Sequence, residues 1–447
     1  MTRVSEQPSV APRSFLKDVV SVLQTKVAVL CLGFVSSILL ARYLGAEGRG
    51  LLAALLVVPT VVMTLCELGI RQSAAFHIGQ DRAQLDRIAG TLVGLGLLTA
   101  LLALGLSIAY FRLTWLSSYS WSLIALTLML IPAKIVQSYA SGLFLGTQRI
   151  ADFNKVSWLP ALVRAGCILA LVAGLQVGLW GALWAEVLAA VAMTTYALWL
   201  AASFVHVRLG FDAALAKKLV RLGFVYAASL FAITLLYKIN ILLLQRLSTL
   251  EELGLYTVGA NLAEYIWQLP AVMGAIIFSR SANAKNRPDF SQKIFVLLRL
   301  TLVLATLGAL AVASVVPVFV PLVFGPAFSG SVPVIHALLP GIVGFVVVKI
   351  LNMDLAGQGK PWVTLSVVVP AVALNLALAF WLIPQFGAIG AAGAISITYL
   401  LAALLYVFVY AQATGSAIRD IALYRRSDFD LLQAKARGML VWKARAS

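Results

Sequence analysis

The chain has 447 residues, 62% of them apolar and only 11% charged, with a mean hydropathy of +0.97. That balance excludes a soluble globular domain and indicates a polytopic membrane protein. A formal net charge of +17 would suggest nucleic acid as a partner of a soluble protein, but here its placement along the chain decides otherwise.

With roughly 20 helical residues needed per crossing, the apolar runs predict twelve spans near 17–43, 50–72, 88–111, 120–144, 156–174, 178–203, 219–245, 254–278, 294–320, 332–356, 362–383 and 388–411. The first run is too long for a signal peptide and lacks a small-residue cleavage site. With the N-terminus in the cytoplasm, 24 of the 34 Lys and Arg fall in cytoplasmic tails and loops, and only Arg42, Arg49, Arg112 and Arg246 fall outside. The positive-inside rule therefore places both termini in the cytoplasm. The basic balance reflects topology and attraction to anionic lipid, with no nucleic-acid partner. Cys31, Cys66 and Cys167 lie unpaired in apolar runs, and His77, His206 and His336 are scattered. No disulfide, metal site, nucleotide loop or cofactor motif is expected.

The chain repeats itself. "ILLARYLGAEGRGLLAALL" (38–56) parallels "ILLLQRLSTLEELGLYTVG" (241–259), pairing Gly50 with Gly254. "LGTQR" (145–149) parallels "LAGQGK" (355–360), and Pro160 falls 210 residues before Pro370. "VGLWGALWA" (177–185) parallels "FGAIGAAGA" (386–394), pairing Gly178 and Gly181 with Gly387 and Gly390. Six spans per copy is an even number, so the two copies run parallel about an axis along the membrane normal, with substrate expected in a central cavity. The expected divisions are a cytoplasmic N-tail (1–16), an N-lobe (17–203), a linker (204–218), a C-lobe (219–411) and a basic cytoplasmic C-tail (412–447). The stretch 204–223 reads as a basic amphipathic helix lying on the membrane surface, and the C-tail as a surface-lying segment. Pro132 and Pro340, in the fourth and tenth spans, mark expected hinges. The Gly-x-x-Gly pairs are read as close helix packing.

Six basic residues fall within spans: Lys26, Lys134, Arg164, Lys238, Arg299 and Lys349. Each costs about 3 kcal/mol at the bilayer centre. Arg164 and Arg299, near cytoplasmic ends, are expected to snorkel first and to meet substrate second; Lys26 is open between the two. Glu67 and Arg71, four apart, favour a same-helix ion pair. Lys134, Lys238 and Lys349, with Asn240 beside Lys238, are the leading candidates for a wet cavity wall, against pairing with Glu186 or Glu264. A surplus of lysine at depth asks for an anion, and phosphate suits lysine's mobile point charge.

"SSILLARYLGAEGRGLLAALL", "ELGIRQSAA", "GLFLGTQRIADFNKVS" and "LLLQRLSTLEELGLYTVGANLAE" resemble the Wzx-type oligosaccharide flippases, polysaccharide-biosynthesis exporters of the MATE-like MOP superfamily. The resemblance covers nearly all of 14–411. It implies an all-α fold of two six-helix bundles around a central cavity open alternately to each side. It also implies transport of an undecaprenyl-diphosphate-linked oligosaccharide from the cytoplasmic to the periplasmic leaflet of the bacterial inner membrane. A proton or sodium gradient would drive it through Glu264 or Glu186, with Glu67 and Asp354 as further acidic candidates. Membrane lipids, a polysaccharide polymerase and a chain-length regulator are the expected partners, for O-antigen, capsule or exopolysaccharide synthesis. The alternative is a multidrug or metabolite cation antiporter of the MATE branch, disfavoured by more base than acid at depth. An enzyme is not expected, because the outward loops are short and poor in catalytic groups.

Overall fold

The computed structural model describes residues 15–114, 120–206, 210–282 and 287–422, with 15–26 described by backbone alone. The N-tail to residue 14, the C-tail from 423 and the side chain of Lys26 lie outside that description.

Among the described residues the chain is helical, as its hydropathy requires: a segment in lipid must satisfy its backbone internally. Among the described residues, eight helical segments are apolar and long enough to cross a membrane, and two of these are double length. Helix α1 (Phe15–Cys66) supplies the first and second spans, broken at Gly45. The short α2 (Ile70–Gln80) follows. The third span is α3 (Leu85–Thr114), and the fourth is α4 (Trp121–Leu128) continued by α5 (Leu130–Gly146). The fifth is α6 (Ile150–Cys167), prolonged by π-helical turns over Ile168–Gly174, and the sixth is α7 (Gly178–Ala202). In the second half, α8 (Ala213–Leu247) is the seventh span, α9 (Leu250–Glu264) with α10 (Gln268–Ala282) the eighth, α11 (Arg287–Phe324) the ninth and α12 (Ser331–Gly357) the tenth. Helix α13 (Leu365–Thr414) carries the last two, broken at Gly387, and α14 (Ile418–Ala422) follows.

The duplication shows in the backbone. Gly178 and Gly387, paired in sequence, both take positive φ, at 65° and 52°, and both turn the chain between the last two spans of their copy. A side chain is disfavoured there. Their partners Gly181 and Gly390 serve packing: an added Cβ would lie 3.1 Å from the Leu171 carbonyl oxygen and 2.2 Å from that of Leu382. The expectation of close packing therefore holds for the second glycine of each pair, while the first makes a turn. Pro132 sits beside the α4–α5 break at Met129, whereas α12 continues through Pro340 without one.

Two compact units are formed, dividing between Phe224 and Val225, except that Leu44–Leu65 clusters with the second unit. The expected N-lobe is thus split at its second span. The cause is local: a Cβ on Gly50 would lie 1.8 Å from the Leu250 carbonyl oxygen, and one on Gly254 would lie 1.9 Å from that of Ala46. Glycine on both sides lets the two backbones touch.

In the first unit, Glu67 and Arg71 do pair (Oε1–Nε 3.7 Å), but not on one helix. The second span ends at Cys66, and Leu68 and Gly69, both at positive φ, turn the chain into α2. The linker differs as well. Ala213 begins α8 itself, and Leu215 and Leu219 are buried while Lys217 and Lys218 are exposed. The amphipathic stretch is therefore the first turns of the seventh span rather than a separate surface helix. The preceding strap is fastened to α3, with the His206 N–H donating to Asp86 (2.9 Å) and Arg87 paired with Asp212. The Leu215 N–H and then Arg87 hold the Asp212 carboxyl below the usual carboxylate range.

Candidate functional site

The intramembrane charges divide into those tied off by neighbours and those left to act. Arg164 of α6 pairs with Glu186 of α7 (Nε–Oε1 2.5 Å), so this arginine meets a carboxylate instead of snorkelling. Arg299 of α11 is 2% exposed and donates from Nη1 to the Asp420 carbonyl (2.5 Å). It fastens α14 beneath the second unit and does not reach water. Glu67 accepts from Ser138 (2.6 Å) as well as facing Arg71. Asp354, 0% exposed, accepts from Ser281 Oγ (2.6 Å), Gln358 Nε2 (2.7 Å) and Tyr410 OH (2.5 Å). Three donors on one carboxylate join α10, α12 and α13, and the geometry is that of a structural anchor.

Asn240 is likewise a bolt. It is 1% exposed, donates to the Ala391 carbonyl (3.1 Å) and accepts from Asn375 (2.9 Å). Asn240 therefore joins both arms of the broken α13 to α8, and its bonds leave it off the expected cavity wall. Lys238, two positions earlier, lies about 200° away around the helix.

Lys134, Lys238 and Lys349 are each half-buried. Lys134, one turn into α5 behind Pro132, has no ion pair or hydrogen bond with any described residue. Lys349 of α12 has the most elaborate setting. Its ammonium donates to Tyr237 OH (3.0 Å) and lies 4.1 Å from the centre of the Trp267 ring, 5.1 Å from that of Tyr237 and 5.9 Å from that of Phe345. Trp267 is oriented by its indole N–H, which donates to the Ile342 carbonyl (2.8 Å), and Phe345 packs on Tyr399 in a tilted pair with centroids 4.3 Å apart. Glu264, at the end of α9, is in electrostatic contact with both Lys238 and Lys349. This cluster holds two lysines against one carboxylate, so it keeps a net positive charge.

Such a cage does a specific job. Aromatic faces stabilise an ammonium without neutralising it, and a phenol donates or accepts without adding charge. Lys349 is thereby held at depth while its charge remains available to an anion. The sequence pointed to Lys349, Lys238 and Glu264 but missed Trp267, Phe345 and Tyr399. Helical spacing carries the missing signal: Trp267 is three residues after Glu264, and Phe345 four before Lys349. Among the four acidic candidates, Glu264 is the one that faces Lys238 and Lys349. Among the described residues no cluster of His, Cys, Asp and Glu could hold a metal ion.

Comparisons with known proteins agree with this architecture. No curated protein sequence matches the chain significantly. An inward-facing multidrug resistance MATE transporter of the MOP superfamily is similar with a TM-score of 0.69 at 15% identity, covering 91% of this chain and all of that one. The lipid II flippase MurJ, in an inward closed conformation, gives 0.70 at 13% identity over 97% of this chain and 98% of its own. A MOP superfamily transporter from Pyrococcus furiosus, described as having a binding pocket of reverse polarity, gives 0.62 at 15% over 90% and 96%. These likenesses establish the all-α polytopic fold that these transporters share. The family profile described as "Polysaccharide biosynthesis protein" matches residues 15–278, more than half of the chain. The chain therefore belongs to the polysaccharide biosynthesis protein family, with the multi-pass membrane architecture that MATE transporters and MurJ share.

Proposed function

We propose that this protein is a flippase that carries a polyprenyl-diphosphate-linked oligosaccharide from the cytoplasmic to the periplasmic leaflet of the inner membrane, for surface polysaccharide synthesis. The observation that carries the proposal is the caged Lys349, whose charge is preserved beside Lys238 and only one carboxylate. A lysine costs about 3 kcal/mol at the bilayer centre, and a buried charge surplus of this sign favours an anion such as a diphosphate. Lys134 offers a further cationic contact in the first unit. Glu264, balanced against two lysines, is the proposed carboxylate for coupling to a proton or sodium gradient. The family membership supports the polysaccharide setting, and a polymerase and chain-length regulator are proposed partners on that ground.

The antiporter alternative meets a physical obstacle. An aromatic box beside a glutamate would suit an organic cation, but here the protein's own ammonium fills it. The test is reconstitution into liposomes with a fluorescent undecaprenyl-diphosphate-linked oligosaccharide, scored by quenching from outside. Translocation by the wild type and its loss in Lys349→Gln are expected. Absence of lipid translocation, together with proton-driven uptake of an organic cation, would replace the flippase with the antiporter.

A further inference from the structure

The first unit contains an apolar groove that the proposed transport site does not use. It has a volume of about 610 Å³ and lies between α3, α5 and the end of α7. On α3 it extends from Ala89 to Ala100 and on α5 from Pro132 to Leu143. Eleven residues at 1.5 Å rise span about 16 Å, half of a hydrocarbon core of ~30 Å. The groove is one leaflet deep.

Its walls are aliphatic. The one polar side chain along them, Tyr139, is already bonded to Thr99 (3.1 Å), so nothing inside requires a polar guest. Its open side is flanked by Val93, Leu97 and Leu198, which are 49%, 64% and 52% exposed. In helices that cross a bilayer, such exposure faces hydrocarbon. At its Ala89 end the groove meets Val205, beside His206, whose N–H donates to Asp86 (2.9 Å).

That end is basic. Arg82, Arg87, Lys217, Lys218 and Arg221 are exposed on α8's first turns and the approach to α3. Of the nearby acids, Asp81 is engaged by the Ala83 N–H and Gln84, Asp86 by the His206 N–H, and Asp212 by Arg87 and the Leu215 N–H.

We infer that this groove binds one acyl chain of an anionic phospholipid from the leaflet at the linker end, with the headgroup phosphate at Arg87 and the basic start of α8. Depth of a single leaflet, an apolar interior and a cationic rim are the three complements of such a lipid. A polyprenyl carrier is far longer than the groove and would leave most of its chain outside. The bound lipid packs α3, α5 and α7 against the strap that joins the two halves, so its occupancy braces the linker.

The test uses the full chain in detergent, delipidated and titrated with phosphatidylglycerol or phosphatidylcholine of identical acyl chains, read by native mass spectrometry. Retention of one phosphatidylglycerol with about tenfold preference over phosphatidylcholine is expected. Leu97→Trp with Ala202→Trp, which fills the groove from its open side, should lower retention at least about tenfold. Lys217→Gln with Lys218→Gln, at exposed positions outside the contacts that fasten the strap, should abolish the headgroup preference. A phosphatidylglycerol carrying a photoreactive acyl group should label α3, α5 and α7 together, which locates the site even if the filled variant folds poorly. Equal retention of the two lipids, unchanged binding after filling, labelling confined to other helices, or displacement by equimolar undecaprenyl phosphate would each overturn the inference.

Discussion

Lys349→Met separates a binding role from a structural one. In the wild type, the Trp267 face contributes about 2 kcal/mol to a desolvated ammonium, and the bond to Tyr237 about 2 kcal/mol more, as for a hydrogen bond to a charged group. Against these stands an insertion cost of about 3 kcal/mol. The terms nearly cancel, so methionine, which keeps the stem and packs on the same rings, should change stability by no more than about 1 kcal/mol. Glu264 retains Lys238 as its counter-charge. Trp267→Leu is the contrasting variant: it leaves the ammonium in place, uncovers it and abandons the Ile342 carbonyl, at a cost of about 3 kcal/mol. The assays are thermal unfolding of the purified protein in detergent and surface-polysaccharide export in a strain dependent on this chain. Lys349→Met should unfold near the wild-type temperature and fail to export, while Trp267→Leu should unfold early. Normal export by Lys349→Met, or its early unfolding, would refute the reasoning, because the cage would then serve packing alone.

Gly50→Ala and Gly254→Ala each place a Cβ within 2 Å of a facing carbonyl oxygen, and should each destabilise by about 1–3 kcal/mol as overpacking. Once one has parted the helices, the second costs less, so the double variant should fall short of the sum by at least about 0.5 kcal/mol; strict additivity in thermal unfolding counts against the shared seam. Arg164→Met or Glu186→Gln strands one half-buried charge and should cost about 1–3 kcal/mol, while the pair changed together should recover most of it. No recovery in expression and unfolding temperature means the pair is not the source of the stability. Asp354→Asn turns an amide N–H toward at least one of its three donors and should cost about 1–3 kcal/mol, with export preserved in whatever protein remains folded. A stable Asp354→Asn protein that cannot export would move this residue from anchor to coupling group.

The spans were legible because burial in lipid imposes one simple condition, about 20 apolar residues per crossing, and the chain meets it repeatedly. The duplication was legible for a related reason. Glycines that must turn or touch backbone, such as Gly178 with Gly387 and Gly50 with Gly254, stay glycine in both copies. Three features were hidden. The second span's membership in the second unit depends on a contact about 200 residues long-range. The strap's fastening depends on side chains reaching α3 from the linker. The partners of the buried charges also lie far along the chain: Tyr237 lies 112 residues from Lys349, and Asn240 lies 135 from Asn375. Sequence spacing shows which residues share a helix face, but not what that face meets. Asn240 illustrates the limit, since polarity beside Lys238 suggested a common duty and helical geometry gave them separate ones.

The two copies share scaffold but not charge. At the offsets that align the glycines and prolines, the counterpart of Lys349 is Tyr139, bonded to Thr99 within its own unit. The counterpart of Glu264 is Thr60, which donates to the Leu56 carbonyl one turn back. Both counterparts are uncharged and locally satisfied. Had the caged lysine and its carboxylate been needed to form the helices of a copy, the first copy would lack a requirement that the second meets, yet its helices form. The charge cluster is therefore an addition to a helical repeat that forms its spans without it, and an addition costing about 3 kcal/mol per lysine implies a use. The aromatic cage is confined to one copy, so the protein carries an asymmetry its scaffold does not require. The anionic head of the proposed substrate, met by the caged lysine, accounts for that asymmetry.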